Sequence, residues 1–437
     1  MTLRVGIVGC GNVALNFHVP AYRALPGRFA IVGLADPTPE RLELGREAAG
    51  LAADQVHPDA AALLARDDVD VIDVCTPQHL HRDLVVAAAA AGKHVLCEKP
   101  IAARPADAAA MVEAARQAGI VLGVMHNYLF FPEVVALKAV IGSGELGEVR
   151  TVSVTMLGVV DSPGAAGYRP QWRHEPAAAG GGVLMDMLHG VYLAEHLLGT
   201  PIARVSAYVD SAVDGGAVEG LALCRLEAGR RVGLVDIGWG EGQGGIAVHG
   251  TAGRAVAHYR ADGTLPWAPF ERLEISTAEG TRRADLPAGQ ELGPLIADAM
   301  RDTVADLADA IEKEGPPAAD GAAALRTLET VVAAYASAAL GRTVPLPLDG
   351  PLHRAGVLGL QELDLPTSLV RERGLFGLFP TPPAPPAADR SALPTPPAPP
   401  AADRSALPTL PAPPAADRSA LPTLPAPPAA DPRLGAL

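Results

Sequence analysis

Between Leu3 and about residue 126, short β-branched apolar runs alternate with alanine-rich stretches whose apolar positions recur every three or four residues. Runs without polar alternation suit strands covered on both faces, and the longer period suits crossover helices. This part therefore predicts an α/β arrangement with a doubly wound parallel sheet. Strands are expected at Leu3–Val8, Ala30–Ala35, Val69–Cys75, His94–Leu96 and Val121–Met125. Helices fit between them near Val13–Leu25, Glu40–Ala49, Asp59–Ala65, Leu80–Ala91 and Pro105–Ala118. After about Gly147 the strands lengthen and alternate, at Glu148–Leu157, Arg204–Val209, Val218–Leu226, Arg231–Ile237 and Leu273–Thr277. Alternation marks strands with one wet face, which predicts a second, α+β part on a large, mainly antiparallel sheet. Two late helices, near Leu292–Lys313 and Ala319–Leu340, are expected to fold back onto the body, with Gly315 and Gly341 ending them.

From Pro380 a fourteen-residue unit recurs, starting at Pro380, Pro394, Pro408 and Pro422, and its last copy diverges after Asp431. The unit is too short and too proline-rich for a packed repeat, and its few leucines do not offset the entropy of ordering it. A disordered, extended, polyproline-like tail is expected. Residues 350–379 carry no pattern that assigns them. The formal net charge is -14, yet the tail from Pro380 holds four Asp and four Arg, so the whole excess sits on the body. An acidic body repels phosphate backbones and anionic lipid heads, which argues against nucleic-acid and membrane partners. Apolar runs such as Leu84–Ala91 fall well short of the roughly 20 residues of a spanning helix. Met1 leads almost at once into the first strand, without a secretory signal pattern, so a cytoplasmic protein is expected. Cys10, Cys75, Cys97 and Cys224 lack the close pairs of a zinc site or redox dithiol and read as reduced, mostly buried residues.

The first strand closes on Gly9-Cys10-Gly11-Asn12-Val13-Ala14, where a helix should open, and a dinucleotide fingerprint requires that context. Gly9 permits the tight turn, Gly11 lets the backbone approach a pyrophosphate, and Ala14 allows close helix packing. Amides at the helix start, around Asn12 and Val13, would then hold the phosphates. Asp36 ends the second strand, where a carboxylate accepts hydrogen bonds from the adenosine ribose. A 2'-phosphate there would meet a like charge at roughly 4 Å, a repulsion of several kcal/mol at an effective dielectric near 20. Pro37 follows rather than a relieving arginine or serine, and Arg41 is the one cation nearby in sequence. NAD is therefore the expected cofactor, with NADP disfavoured.

The segment Ala91-Gly92-Lys93-His94-Val95-Leu96-Cys97-Glu98-Lys99-Pro100 is preceded by Thr76-Pro77 and followed by Asn127-Tyr128. With His18-Val19-Pro20-Ala21, Gly180-Gly181-Gly182-Val183-Leu184-Met185-Asp186 and Val344-Pro345-Leu346-Pro347-Leu348, it makes the chain resemble a known family over about residues 3–349. That family is the glucose-fructose oxidoreductase, inositol dehydrogenase and rhizopine catabolism group, written Gfo/Idh/MocA. The resemblance implies a Rossmann NAD-binding domain at 1–126 and an α+β substrate-binding and oligomerisation domain at 127–349. The extension 350–379 and the tail 380–437 fall outside it.

The resemblance also implies that Lys99 is catalytic, that Glu98 anchors its turn before a cis Pro100, and that Thr76 and Pro77 line the cofactor. His79 and His81 would line the cofactor edge or cap a helix, and no carboxylate cluster completes a metal site with them. An ammonium beside a nicotinamide can bond the substrate oxygen and stabilise a developing alkoxide. Removing a hydride from a carbinol also requires the hydroxyl proton to leave, and histidine is tuned to accept it near neutral pH. His189 is thus the expected base, with Asp186 as its orienter or a substrate partner. Relatives commonly space this Asp and His by four residues rather than three, which leaves the role of Asp186 more open, whereas the step from His189 to Gly199 matches the family. Relatives also often carry arginine where this chain has Leu129. Asn127 and the loop Tyr168-Arg169-Pro170-Gln171-Trp172-Arg173-His174 are expected at the substrate, with Trp172 packing on a sugar face and Arg173 gripping a hydroxyl or carboxylate.

The leading expectation is an NAD-dependent dehydrogenase for CH–OH groups of a sugar, sugar derivative or cyclitol. An NAD-dependent glycoside hydrolase or lyase using transient oxidation, and a non-catalytic NAD-bound sensor, stay open. Partners would be a small polyol or sugar and further copies of the chain, as a dimer or tetramer.

Overall fold

The apolar run Leu3–Val8 forms β1 and is buried along nearly its whole length, as a central strand covered by helices on both faces must be. The computed structural model describes residues 2–159, 180–210, 218–239, 242, 244–259, 270–285 and 292–365. Five further strands join β1: β2 (Phe29–Ala35), β3 (Val56–His57), β4 (Val71–Val74), β5 (His94–Cys97) and β6 (Leu122–Val124). All pair in parallel in the order β3-β2-β1-β4-β5-β6. The order reverses between β1 and β4, and in open sheets of this kind the crevice beyond the carboxyl ends at that point takes the ligand.

Helical backbone follows β1 from Asn12 to Arg23, as a π turn at Ala14–His18 leading into α1 (Val19–Arg23). The crossovers are α2 (Pro39–Ala49), α3 (Ala60–Leu64), α4 (His81–Ala90) and α5 (Pro105–Ala118). After β6 comes α6 (Pro132–Gly142), and then β7 (Val149–Val159) opens the second sheet. The short α7 (Val183–Asp186) and α8 (His189–Leu198) precede its other strands. These are β8 (Arg204–Asp210), β9 (Leu221–Ala228), β10 (Arg231–Trp239), β11 (Gly244–Gly250), β12 (Gly253–Tyr259), β13 (Phe270–Thr277), β14 (Gly280–Asp285) and β15 (Val344–Pro345). Their order is β14-β13-β12-β11-β7-β10-β9-β8-β15, antiparallel except where β7 meets β10.

One face of this sheet packs under α8 and α10 (Gly321–Leu340). A Cβ on Gly190 would stand 2.9 Å from Val235, so glycine lets α8 press onto β10. The other face leaves Tyr208, Leu223 and Leu234 exposed. The helix α9 (Leu292–Glu312) returns to the first sheet, where Met300, Val304 and Leu307 join the core formed by Val5, Ile7, Tyr22 and Phe29.

Both sheets answer the expected fold class, with small differences. Glu314 takes the left-handed turn after α9 and Gly315 closes the end with its N–H on the Ala310 carbonyl at 2.9 Å, while Gly341 caps α10 as anticipated. Residues 350–365, unassigned from the sequence, form α11 (Gly350–Ala355) and a 3-10 turn, and bury Leu352, Val357 and Leu360. The repeat tail lies outside the described residues. No described helix is long and apolar enough to cross a membrane.

Candidate active site

The carboxyl ends of β1, β4 and β5 bring the glycine turn, Thr76 and Lys99 to one crevice. Gly9 has φ +97°, and a Cβ there would stand 2.7 Å from the Cys75 carbonyl, so only glycine makes this turn. A Cβ on Gly11 would instead meet nothing within 4 Å, which leaves space in front of a helix whose ladder begins with Leu15 N–H on the Gly11 carbonyl. Asn12 and Val13 lie in that leading turn, where unladdered amides and the helix dipole suit a pyrophosphate. Asp36 stands at the end of β2 and accepts from Cys10 N–H at 2.7 Å and Thr38 N–H at 2.8 Å. Each bond goes to a different carboxylate oxygen, so lone pairs remain for ribose hydroxyls. The Thr76 hydroxyl oxygen is buried without a hydrogen-bond partner among the described residues. Turn, open space, anchored carboxylate and orphaned hydroxyl together fit a dinucleotide.

Beneath Lys99 lies a charged floor. His18 is fully buried, with Nδ1 2.7 Å from Asp73 and Nε2 2.8 Å from Glu98. Both ring nitrogens face carboxylates, so both must donate, and the ring is an imidazolium. Burial works against that charge, but Asp73 and then Cys75 lift the His18 pKa well above its ordinary value. Burial likewise opposes ionisation of Glu98, yet His18 and Lys99 hold its carboxyl below the usual range. The second Glu98 oxygen accepts the Lys99 backbone N–H at 2.8 Å, and the Lys99–Pro100 bond is cis, as expected. Among the described residues, His18, Asp73 and Cys75 bring three donor atoms within 4.8 Å, but the His18 and Asp73 atoms already bond each other.

Beside Lys99 stands an aromatic wall. The Lys99 ammonium donates to the Asp186 carbonyl at 2.8 Å and lies 3.4 Å from its carboxylate. Asp186 ends α7 and His189 begins α8, so the two residues sit on separate helical turns. The Nδ1 atom of His189 is met not by a carboxylate but by the Tyr192 hydroxyl, at 2.6 Å. Tyr128 stacks on the His189 ring with centroids 4.0 Å apart, and His126 stacks on Tyr192 at 4.1 Å. Burial, then the charge of Lys99 and the proximity of His126, push the His189 pKa well below its ordinary value, so the ring is neutral. Burial and Lys99 bring His126 down to about 3.

Residues 3–126 match the family model described as oxidoreductase family, NAD-binding Rossmann fold, and residues 134–256 match that of the GFO/IDH/MocA C-terminal domain. The chain belongs to the Gfo/Idh/MocA oxidoreductase family. It is 31% identical over 348 residues to a D-apiose dehydrogenase of Paraburkholderia graminis, across 78% of this chain and 88% of that protein. It is 30% identical over 351 residues to a 1,5-anhydro-D-fructose reductase of Ensifer adhaerens, across 78% of this chain and 98% of that one. Among solved structures, an oxidoreductase from Agrobacterium radiobacter in complex with NAD+, L-tartaric acid and magnesium superposes with a TM-score of 0.69 at 26% identity. That match covers 79% of this chain and 98% of the other. This Gfo/Idh/MocA member is an NAD-binding oxidoreductase.

Within this Gfo/Idh/MocA site, Lys99, Asp186 and His189 are brought together, as are Gly9, Gly11, Asn12, Val13, Asp36, Thr76 and Pro77 around the turn. His81, expected at the cofactor edge, is fully buried, with its two ring nitrogens 2.7 Å from the Thr76 carbonyl and 3.1 Å from the Ile101 carbonyl. It braces the two loops from behind, so the ring has no surface left for a ligand. Asn127 is buried at the start of a 3-10 turn. Trp172 and Arg173 lie outside the described residues. Sequence reasoning missed Tyr192 and the pairing of His18. Tyr192 carried a usable signal, because a residue three after His189 on a helix must stand beside it.

Proposed function

We propose that this protein is an NAD-dependent dehydrogenase for a CH–OH group of a sugar, sugar derivative or cyclitol, with Lys99 and His189 handling the reacting oxygen and its proton. The observation that carries this reading is the meeting of a lysine ammonium and a neutral, buried histidine at the mouth of the NAD crevice. Bound NAD supplies the hydride acceptor. The Asp186 carbonyl takes one Lys99 N–H, and the Asp186 carboxylate lies within reach of a second. The third is left for a substrate oxygen, where it stabilises the developing alkoxide. A neutral His189 presenting bare Nε2 then takes the hydroxyl proton and returns it in the reverse direction. The named relatives act on apiose and anhydrofructose, which supports a polyol-sized substrate. We further assign self-association as a dimer or tetramer to the face of the second sheet opposite α8 and α10, where Tyr208, Leu223 and Leu234 stand exposed.

The test is NADH formation by the purified protein given NAD and a panel of aldoses, inositols, amino sugars and sugar acids. Steady NADH with any member supports the dehydrogenase and names its class. Bond cleavage in a glycoside without net NADH would replace this reading with transient oxidation.

A further inference from the structure

The backbone that carries Asp186 to Lys99 is gripped from behind by one residue, Glu219, just ahead of β9. Three successive amides end on it. Gly182 N–H donates to Oε2 at 2.8 Å, Val183 N–H to the Glu219 carbonyl at 3.1 Å, and Leu184 N–H to Oε1 at 2.8 Å. Tyr335, on α10, adds its hydroxyl to Oε1 at 2.7 Å. Both residues are buried. The sequence is cut to this fit: a Cβ on Gly181 would stand 2.2 Å from the Tyr335 hydroxyl, and one on Gly182 would stand 2.4 Å from the Glu219 carbonyl. The gripped residues in turn hold the next ones, with Asp186 N–H on the Gly182 carbonyl at 2.9 Å and Met187 N–H on the Val183 carbonyl at 2.7 Å. A shift of this turn therefore moves the Asp186 carbonyl away from the Lys99 ammonium.

We propose that Glu219, completed by Tyr335, is a positioning residue for hydride transfer, fixing the backbone from Gly182 to Leu184 so that Asp186 aims the Lys99 ammonium at the reacting oxygen. The inference rests on the reading of Lys99 given above. Its reach is through geometry alone, since neither residue touches Lys99 in the contacts described. Small misplacements of a reacting group cost large factors in rate, so a clamp of this kind acts on kcat far more than on cofactor binding.

Glu219→Gln tests it in the full-length protein. The amide keeps the shape but replaces one acceptor with a donor, and in either orientation it sets N–H against the Gly182 or the Leu184 amide. The expected result is a kcat loss of about tenfold or more with the dissociation constant for NAD little changed, beside a lower melting temperature from the N–H pair left buried. Hydrogen exchange should quicken in the peptide spanning 182–184. Tyr335→Phe removes the hydroxyl that donates to Glu219 and accepts from the backbone of the same turn, keeps the ring packing, and should give a smaller loss of the same kind. A kcat within about twofold of wild type in both variants overturns the proposal. So does a kcat loss matched by an equal loss of NAD affinity, which would make the contact merely structural. Lys99→Met is assayed alongside: if it keeps wild-type kcat, the reading of Lys99 fails, whereas an inactive Lys99→Met beside a fully active Glu219→Gln sinks the clamp alone.

Discussion

Two buried histidines flank Lys99, one charged and one neutral. His18, in the floor, lies between Asp73 and Glu98 and is kept protonated, while His189, in the wall, lies between Tyr128 and Tyr192 and is kept neutral. Burial presses both toward the neutral form, so burial does not decide the matter. Partners do: carboxylates on both nitrogens require two protons, whereas a phenol and a ring face are met by a ring with one. The charged floor anchors the turn that carries Lys99, and the neutral wall leaves a ring able to take up a proton.

The largest expected effect comes from emptying the floor. His18→Leu leaves Asp73 and Glu98 buried without their counter-charge, which should cost about 3–5 kcal/mol of stability, read by chemical denaturation. A loss under about 1 kcal/mol would mean that the carboxylates need no cation there. Next comes Lys99→Met, which removes the cation that stands between floor and wall. The expected loss in kcat is about a hundred- to a thousandfold with NAD affinity retained, measured by cofactor titration. Retained turnover would move the chemistry elsewhere.

How far this contrast was visible in the sequence follows from the distances between partners. The helix Pro105–Ala118 and the strand Leu3–Val8 were legible because their periodicity is local. Strands β11, β12 and β14 were not, since Gly244–Gly250 is glycine-rich and Gly280–Asp285 is largely polar, and only neighbours across the sheet make them strands. Lys99 and His189 stood out by motif. The partners of His18 lie 55 and 80 residues away, so its charge was invisible until the fold joined them. His81 shows the converse, a motif-adjacent residue that the fold turns inward as a brace.

The wall makes a pH prediction of intermediate size. His126 titrates at about 3 in the folded protein against an ordinary 6.5, through burial and the Lys99 charge. Its folded pKa is depressed, so as pH falls below 6.5 the unfolded chain takes a proton that the folded chain refuses until about 3. Stability from this group is present above 6.5 and lost progressively below it. His126→Phe keeps a ring against Tyr192 and lacks the titration. Between about pH 7 and pH 5 the wild type should therefore lose roughly 2 kcal/mol more than the variant. Parallel loss in both would show that His126 is not held neutral.

The smallest expected effect concerns the hydrogen bond that orients the base. The Tyr192 hydroxyl accepts the Tyr128 backbone N–H at 3.2 Å, so its own proton is free to point at His189 Nδ1, the arrangement of the Nε2–H tautomer. Oxidation needs the other tautomer, with Nδ1–H given to the phenol oxygen and Nε2 bare. The phenol serves both forms because it can donate or accept, which a carboxylate in its place could not do. Tyr192→Phe removes this exchange while keeping the ring stacked under His126, and leaves Nδ1 buried without a partner. The expected cost is about tenfold in kcat with the NAD dissociation constant unchanged. If turnover instead stays within about twofold, ring stacking alone orients His189, and the contrast between floor and wall reduces to burial beside a cation.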